Sequence, residues 1–261
     1  GTAIPFPFGD LAALGELLER HREKVAAIIL EPLRSEVPPE GFLNGVISLA
    51  REHGCVSIFD EVSTGLRFGT GGAQKKFNVV PDMSVFAKSI SNGYPMGVVV
   101  GRRDVMEPAS RMFISSTYWS DTIGLRAALT TVREAGHRNV ATQLEKFGAV
   151  LKQKLNAVAA EVGCPVECRG IDVHPHLSFK VPEGPLQGEV STLYIQEMAI
   201  RGCHGYTSFY LNAAQGDAEL AQTVDAARET FVTIRDALEK GTVKSQLKCL
   251  PQQDVFRRLV K

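Results

Sequence analysis

Val25-Ala26-Ala27-Ile28-Ile29-Leu30 runs into Glu31-Pro32, and Cys55-Val56-Ser57-Ile58-Phe59 runs into Asp60-Glu61. Each is a short apolar run rich in branched residues, which is how a buried strand of a parallel sheet reads. Between them, Pro38-Pro39-Glu40-Gly41 introduces a helical stretch over about 40–53. Ahead of the first run, Leu11, Leu14, Leu17 and Leu18 recur at helical spacing behind Asp10, a residue suited to cap. This alternation of helix and apolar strand predicts an α/β fold, a mostly parallel sheet covered on both faces. In such sheets ligands gather beyond the carboxyl ends of the strands, and Asp60 stands at one of them.

A third run, Ser84-Val85-Phe86-Ala87, ends in Lys88 and is followed by the turn Ser89-Ile90-Ser91-Asn92-Gly93-Tyr94-Pro95. A lysine at the end of a buried strand is costly unless its amine is neutralised, paired or covalently engaged. A desolvated lysine is the kind that forms Schiff bases with carbonyls. Taken singly, Lys88 reads as a solvated loop residue, and Asp60-Glu61 as a helix cap or a metal-binding acid. Taken together, they match what pyridoxal phosphate (PLP) asks of a protein, a lysine for its aldehyde and a carboxylate for its ring nitrogen. Asp60 is the candidate for the second role, through a charge-assisted hydrogen bond. Glu61 is its rival, because neighbouring side chains of a strand point to opposite faces and both cannot serve.

Phe-Asp-Glu-Val-Ser-Thr-Gly-Leu-Arg-Phe-Gly (59–69) and Phe-Ala-Lys-Ser-Ile-Ser-Asn-Gly-Tyr-Pro-Met-Gly (86–97) closely resemble the aspartate and lysine motifs of the class III aminotransferases. Within that family of fold type I PLP enzymes the likeness is nearest to glutamate-1-semialdehyde aminomutase and its relatives. It covers about residues 8–238, with specific motifs between 57 and 122. The resemblance implies amino-group transfer through a Schiff base on Lys88, which also shuttles a proton between two carbons. It gives Asp60 the ring nitrogen and sets Val62 against one ring face; read alone, Val62 is equally a core residue. It makes Thr117, within Ser115-Ser116-Thr117-Tyr118-Trp119-Ser120, a donor to the phosphate of a neighbouring subunit's cofactor. It thereby implies a homodimer with shared active sites. Read alone, that hydroxyl cluster precedes a helix at about 121 and is an anion site or a plain cap.

Tyr118-Trp119-Ser120-Asp121 departs from the Ser-Gly-Asn-Pro-like segment of the aminomutase and resembles proteins of surface-polysaccharide pathways. The chain begins Gly1-Thr2-Ala3-Ile4-Pro5 and enters the family pattern midway. The expectation is therefore a fragment without the amino-terminal part that carries the first phosphate loop and the ring-stacking aromatic, and with weakened cofactor binding. Two other readings stay open: a non-catalytic dimerisation module, and a PLP lyase or decarboxylase.

Hydrophobic residues make up 44% and charged residues 22% of the 261, an ordinary globular balance. The net charge of zero gives no nucleic-acid footprint, and no apolar run is long enough to span a bilayer. Five scattered cysteines argue for reduced thiols in a cytoplasm, and the resemblance implies a small-molecule amino or keto substrate. Neither Cys164/Cys168 nor His174-Pro175-His176 has the further ligands of a metal site. Gly69-Thr70-Gly71-Gly72 lacks the lysine of a P-loop and reads as a flexible turn. Arg67 and Arg169 are weak candidates for carboxylate clamps. The predicted organisation is a partial cofactor domain over 1–136, a smaller α+β domain over 137–240 and a basic tail over 241–261. In the second domain the strands are placed at Val166 to Gly170, Leu177 to Val181 and Ser208 to Leu211.

Overall fold

The computed structural model describes residues 2–33, 36–119 and 121–252. Two sequence readings fall partly elsewhere: Ser120 of the hydroxyl cluster, and Asp254, Arg257, Arg258 and Lys261 of the basic tail, lie outside the described residues. The described chain divides between Thr142 and Gln143 into two compact units, a few residues past the boundary suggested near Gly136.

The first unit is α/β. Helix α1 (Leu11–Arg20) starts where the Asp10 carboxylate accepts from the Ala13 amide at 2.9 Å. Strand β1 (Ala27–Leu30), helix α2 (Phe42–Glu52) and strand β2 (Val56–Asp60) follow. A 3₁₀ turn at Gly65–Phe68 and the short helix α3 (Gly72–Lys76) lead to β3 (Met83–Phe86). A second 3₁₀ turn, Lys88–Ser91, leads to β4 (Val98–Gly101), then α4 (Arg103–Met106) and α5 (Thr122–His137). The sheet order is β1-β2-β3-β4, with β1, β2 and β3 parallel and β4 antiparallel at the edge. The register puts Ala27 beside Val56 and Asp60 beside Val85.

The core lies on one face of that sheet, where Ile28, Leu30 and Phe59 meet Leu14 and Leu18 of α1 and Phe42, Val46 and Ala50 of α2. Full burial of such side chains stabilises by about 1.5–3 kcal/mol each. Here the structure departs from the expected two-sided burial. Strand β1 alternates between exposed and buried, and Ile29 is 59% exposed. The apolar residues of that second face are in the sequence, but among the described residues Ile29 stays largely uncovered. Asp82 ties the strands together from beneath. Its carboxylate accepts from the Ser57 amide (2.9 Å) and hydroxyl (2.7 Å) in β2 and from Arg102 Nη1 (2.7 Å) after β4.

The second unit is α+β. It comprises α6 (Val140–Val162), the antiparallel pair β5 (Val166–Arg169) and β6 (His176–Phe179), then α7 (Pro185–Ile200), α8 (Asp217–Glu239) and α9 (Val243–Gln246). Tyr194, Phe231, Leu193, Leu155 and Ile234 are buried at its centre. Gly148 lets α6 approach the loop after β5, since a Cβ there would fall 1.7 Å from the Asp172 carbonyl oxygen. The strand expected from Ser208 to Leu211 is reduced to an isolated bridge between His176 and Ser208. Leu177 N–Thr207 O and Phe209 N–Pro175 O flank it, and by Asn212 the chain has already turned, its side-chain oxygen accepting from the Ala214 amide.

Candidate active site

Asp60 and Lys88 are brought to one edge of the sheet by the parallel pairing of β2 and β3. Asp60 is the last residue of β2, half-buried, and its Oδ1 accepts from the Val62 amide at 3.0 Å. Lys88 follows β3 by two residues and opens the 3₁₀ turn with φ +48°, in the left-handed region that non-glycine residues seldom occupy. Its Nζ donates to Ser63 Oγ at 2.7 Å. In the chain alone the Lys88 residue is exposed.

Asp60 and Glu61 differ in their hydrogen bonding. Glu61 is fully buried and turned into the protein, where its carboxylate accepts from Thr64 Oγ1 (2.6 Å), Ala73 N (2.9 Å) and Gln74 N (3.0 Å). Its own amide donates to the Val85 carbonyl of β3 at 2.9 Å. Glu61 therefore anchors the start of α3 and fastens the turn after β2. Gly72 makes room for it, at φ +63° and with space for no Cβ, which would fall 2.6 Å from Glu61 Oε2. The glycine-rich stretch read as a flexible turn is thus a fitted seat for a buried carboxylate.

Val62 is half-buried in the turn between Asp60 and Ser63. Thr117 is exposed in a turn ahead of α5. The cap of α5 is Asp121, whose side chain accepts from the Ile123 amide at 2.9 Å, so a carboxylate rather than a hydroxyl occupies the helix end. The first turn of α5 packs on the lysine loop: a Cβ on Gly124 would stand 3.0 Å from the Pro95 carbonyl. A largely apolar cavity of about 530 Å³ lies behind that loop, with Leu66, Gln74, Phe86, Ile90 and Val132 among its walls. Neither Asp60 nor Lys88 lines it.

The weaker candidates have structural partners. Arg67 Nε donates to the Ser63 carbonyl at 3.0 Å, and Arg169 Nε to His176 Nε2 at 3.2 Å. His174 stacks on Tyr210 with ring centroids 4.3 Å apart. Among the described residues no cluster of three or more metal-ligating side chains forms. Burial pushes the Cys164 and Cys168 thiols up to about 12, far from the reactive thiolate range. Sequence reasoning missed Ser63. Its position three residues after Asp60 was visible, but its pairing with Lys88 is 25 residues distant and made only by the fold.

Comparison with known proteins identifies the family. The family described as Aminotransferase class-III matches residues 10–171. The chain belongs to the class-III aminotransferases. It is 33% identical over 250 residues to a 3-aminobutyryl-CoA aminotransferase of Cloacimonas acidaminovorans, covering 89% of this chain and 58% of that protein. It is 31% identical over 252 residues to a glutamate-1-semialdehyde 2,1-aminomutase of Syntrophobacter fumaroxidans, with the same coverage of each. The chain thus spans less than two thirds of the length of these class-III relatives. An omega-transaminase from Sphaerobacter thermophilus superposes with TM-score 0.80 at 26% identity, over 88% of this chain and 57% of that one. The FumI protein of Sphingopyxis sp. MTA144, solved in a PLP internal aldimine form, gives TM-score 0.84 at 20% identity, over 90% and 58%. The latter likeness is one of fold, and the fold is that of the PLP-dependent transaminases.

Proposed function

We propose that this chain carries the lysine and the aspartate of a pyridoxal phosphate site and serves amino-group transfer on small molecules, between two molecules or within one. The observation that carries the reading is the pairing of ends: Asp60 and Lys88 close adjacent parallel strands while Glu61 is withdrawn into the protein. Names among the relatives, an aminotransferase and an aminomutase, support the same chemistry. The donor set suits the cofactor, since an acid, an amine and a hydroxyl share one sheet edge. When bound, pyridoxal phosphate supplies an electron sink that makes the Cα proton of an amine acidic. Asp60 would hold negative charge at the ring nitrogen, and Val62 would pack against the ring. Lys88 would anchor the aldehyde and then accept and return the proton at Nζ. Thr117 would donate to the phosphate of a second subunit's cofactor.

That last role requires a homodimer, and the surface around Thr117 supports one. Met112, Phe113, Ile114, Tyr118 and Trp119 are exposed in almost continuous sequence, Phe113 at 97%. Exposed apolar patches of that kind mark association surfaces. Among the described residues no helix is long and apolar enough to cross a membrane. The five free thiols fit a reducing compartment such as the cytoplasm, where we place the protein.

The test is incubation with pyridoxal phosphate, borohydride reduction and peptide mass mapping. The expected result is a pyridoxyl group on Lys88 alone, lost in Lys88→Ala with the thermal transition unchanged. Label spread over surface lysines, with none preferred, overturns the role of Lys88. Asp60→Asn should keep that label while slowing Cα–H exchange of an amine substrate by orders of magnitude.

A further inference from the structure

We propose that Ser63 is a positioning residue for the Lys88 amine, holding it at the carboxyl edge of β2 so that it meets an incoming carbonyl in one orientation. The inference rests on the proposed role of Lys88 and adds to it a residue that neither the sequence motif nor its charge pattern marks. Three observations carry it. Lys88 Nζ donates to Ser63 Oγ at 2.7 Å, so a long and exposed side chain is held at the turn after β2 instead of extending into water. A lysine left to itself keeps its rotamer freedom. Lys88 also stands at φ +48°, a conformation a side chain adopts only where its surroundings impose it, and such residues gather at functional sites.

Ser63 is itself held on both sides. Its carbonyl accepts from Arg67 Nε at 3.0 Å. Thr64, the next residue, bonds the buried Glu61 carboxylate through its hydroxyl at 2.6 Å, and the Gly65 amide donates to the Glu61 carbonyl at 2.8 Å. The turn from Asp60 to Gly65 is therefore a rigid platform, and Ser63 presents one hydroxyl from it. That hydroxyl both accepts from an ammonium and donates to a neutral amine. It can thus stay bonded to Lys88 in either protonation state. A preorganised nucleophile reacts faster because its orientation does not have to be found at the moment of encounter.

The test follows capture of individual lysines in the intact chain by pyridoxal phosphate, quenched with borohydride at timed intervals and read by peptide mass mapping. In that capture the amine nitrogen bonds to the aldehyde carbon, the carbonyl oxygen leaves as water, and borohydride delivers hydride to the carbon. Ser63→Ala should slow labelling of Lys88 by about tenfold, the worth of one ordinary hydrogen bond. Ser63→Thr, which keeps the hydroxyl, should restore the rate to near that of the parent chain. Labelling of Lys24, which precedes β1 at the opposite, amino-terminal edge of the sheet, should not change in either variant. Equal Lys88 rates in Ser63→Ala and the parent overturn the inference while leaving Lys88 in its role. Slowing in both variants, with a lowered thermal transition, reassigns Ser63 to a structural part and also overturns it. Absence of label on Lys88 in the parent chain removes both this inference and the reading beneath it.

Discussion

Glu61 shows how a single residue decides a site by leaving it. Its carboxylate is buried among three donors, the Thr64 hydroxyl and the Ala73 and Gln74 amides, and its partners include the first amides of α3. A buried acceptor that loses its match leaves donors unsatisfied, which costs more than the bond itself was worth. Glu61→Gln offers one acceptor oxygen in place of two and turns an amide donor toward backbone donors. We expect it to destabilise the first unit by about 2–3 kcal/mol, seen as a lower urea midpoint with an unchanged slope. An unchanged midpoint would mean that Glu61 is not the fastener described here. That Glu61 and not Asp60 is the acid buried among donors was not legible in the sequence. Strand alternation said only that the two diverge, and no local pattern says which face is which.

Elements are joined at their ends by few residues, and Asp82 is the clearest case. It links β2 through Ser57 and the end of β4 through Arg102. Burial alone would raise its pKa, but the hydrogen bonds from Ser57 and the Arg102 guanidinium outweigh it and hold the carboxyl below the ordinary value. The sign follows directly: a depressed folded-state pKa contributes stability above the unfolded value of about 4 and loses it as pH falls through the folded value. Urea unfolding of the chain should therefore show a midpoint that drops as pH is lowered below about 4. Asp82→Asn should be less stable at neutral pH and should flatten that acid decline; an undiminished decline would assign it to other carboxylates. The helices and strands that this residue connects were largely legible. Periodicity placed α1, α2, β1, β2 and the start of α5 within a few residues of where they form. It missed α3 because that helix is only five residues long and starts on the Glu61 carboxylate, a partner eleven or more residues away. It overextended the strand at Ser208, since an apolar, aromatic run meets β-propensity even where only a single bridge can form.

The whole molecule presents an apolar surface where a dimer would form. Phe113 is 97% and Trp119 65% exposed, on either side of Thr117. Sedimentation of the intact chain should show concentration-dependent association at micromolar protein, reduced in the double variant Phe113→Asp/Trp119→Asp with an unchanged circular dichroism spectrum. A parent chain that remains monomeric at all concentrations would remove the homodimer from the proposal for this chain.

The sequence by itself determined that this is an α/β chain of the class-III aminotransferases. The apolar runs, their carboxyl-terminal Asp60 and Lys88, and the words around them are local features that survive in a one-dimensional string. Only the tertiary structure decided that Glu61 is the acid buried among donors and that the Lys88 amine donates to Ser63. The reason is physical. Hydrophobic period reports which face of an element is dry, whereas hydrogen-bond partners 12 and 25 residues apart are chosen by the register of β2 and β3 and by the path of the turns that follow them.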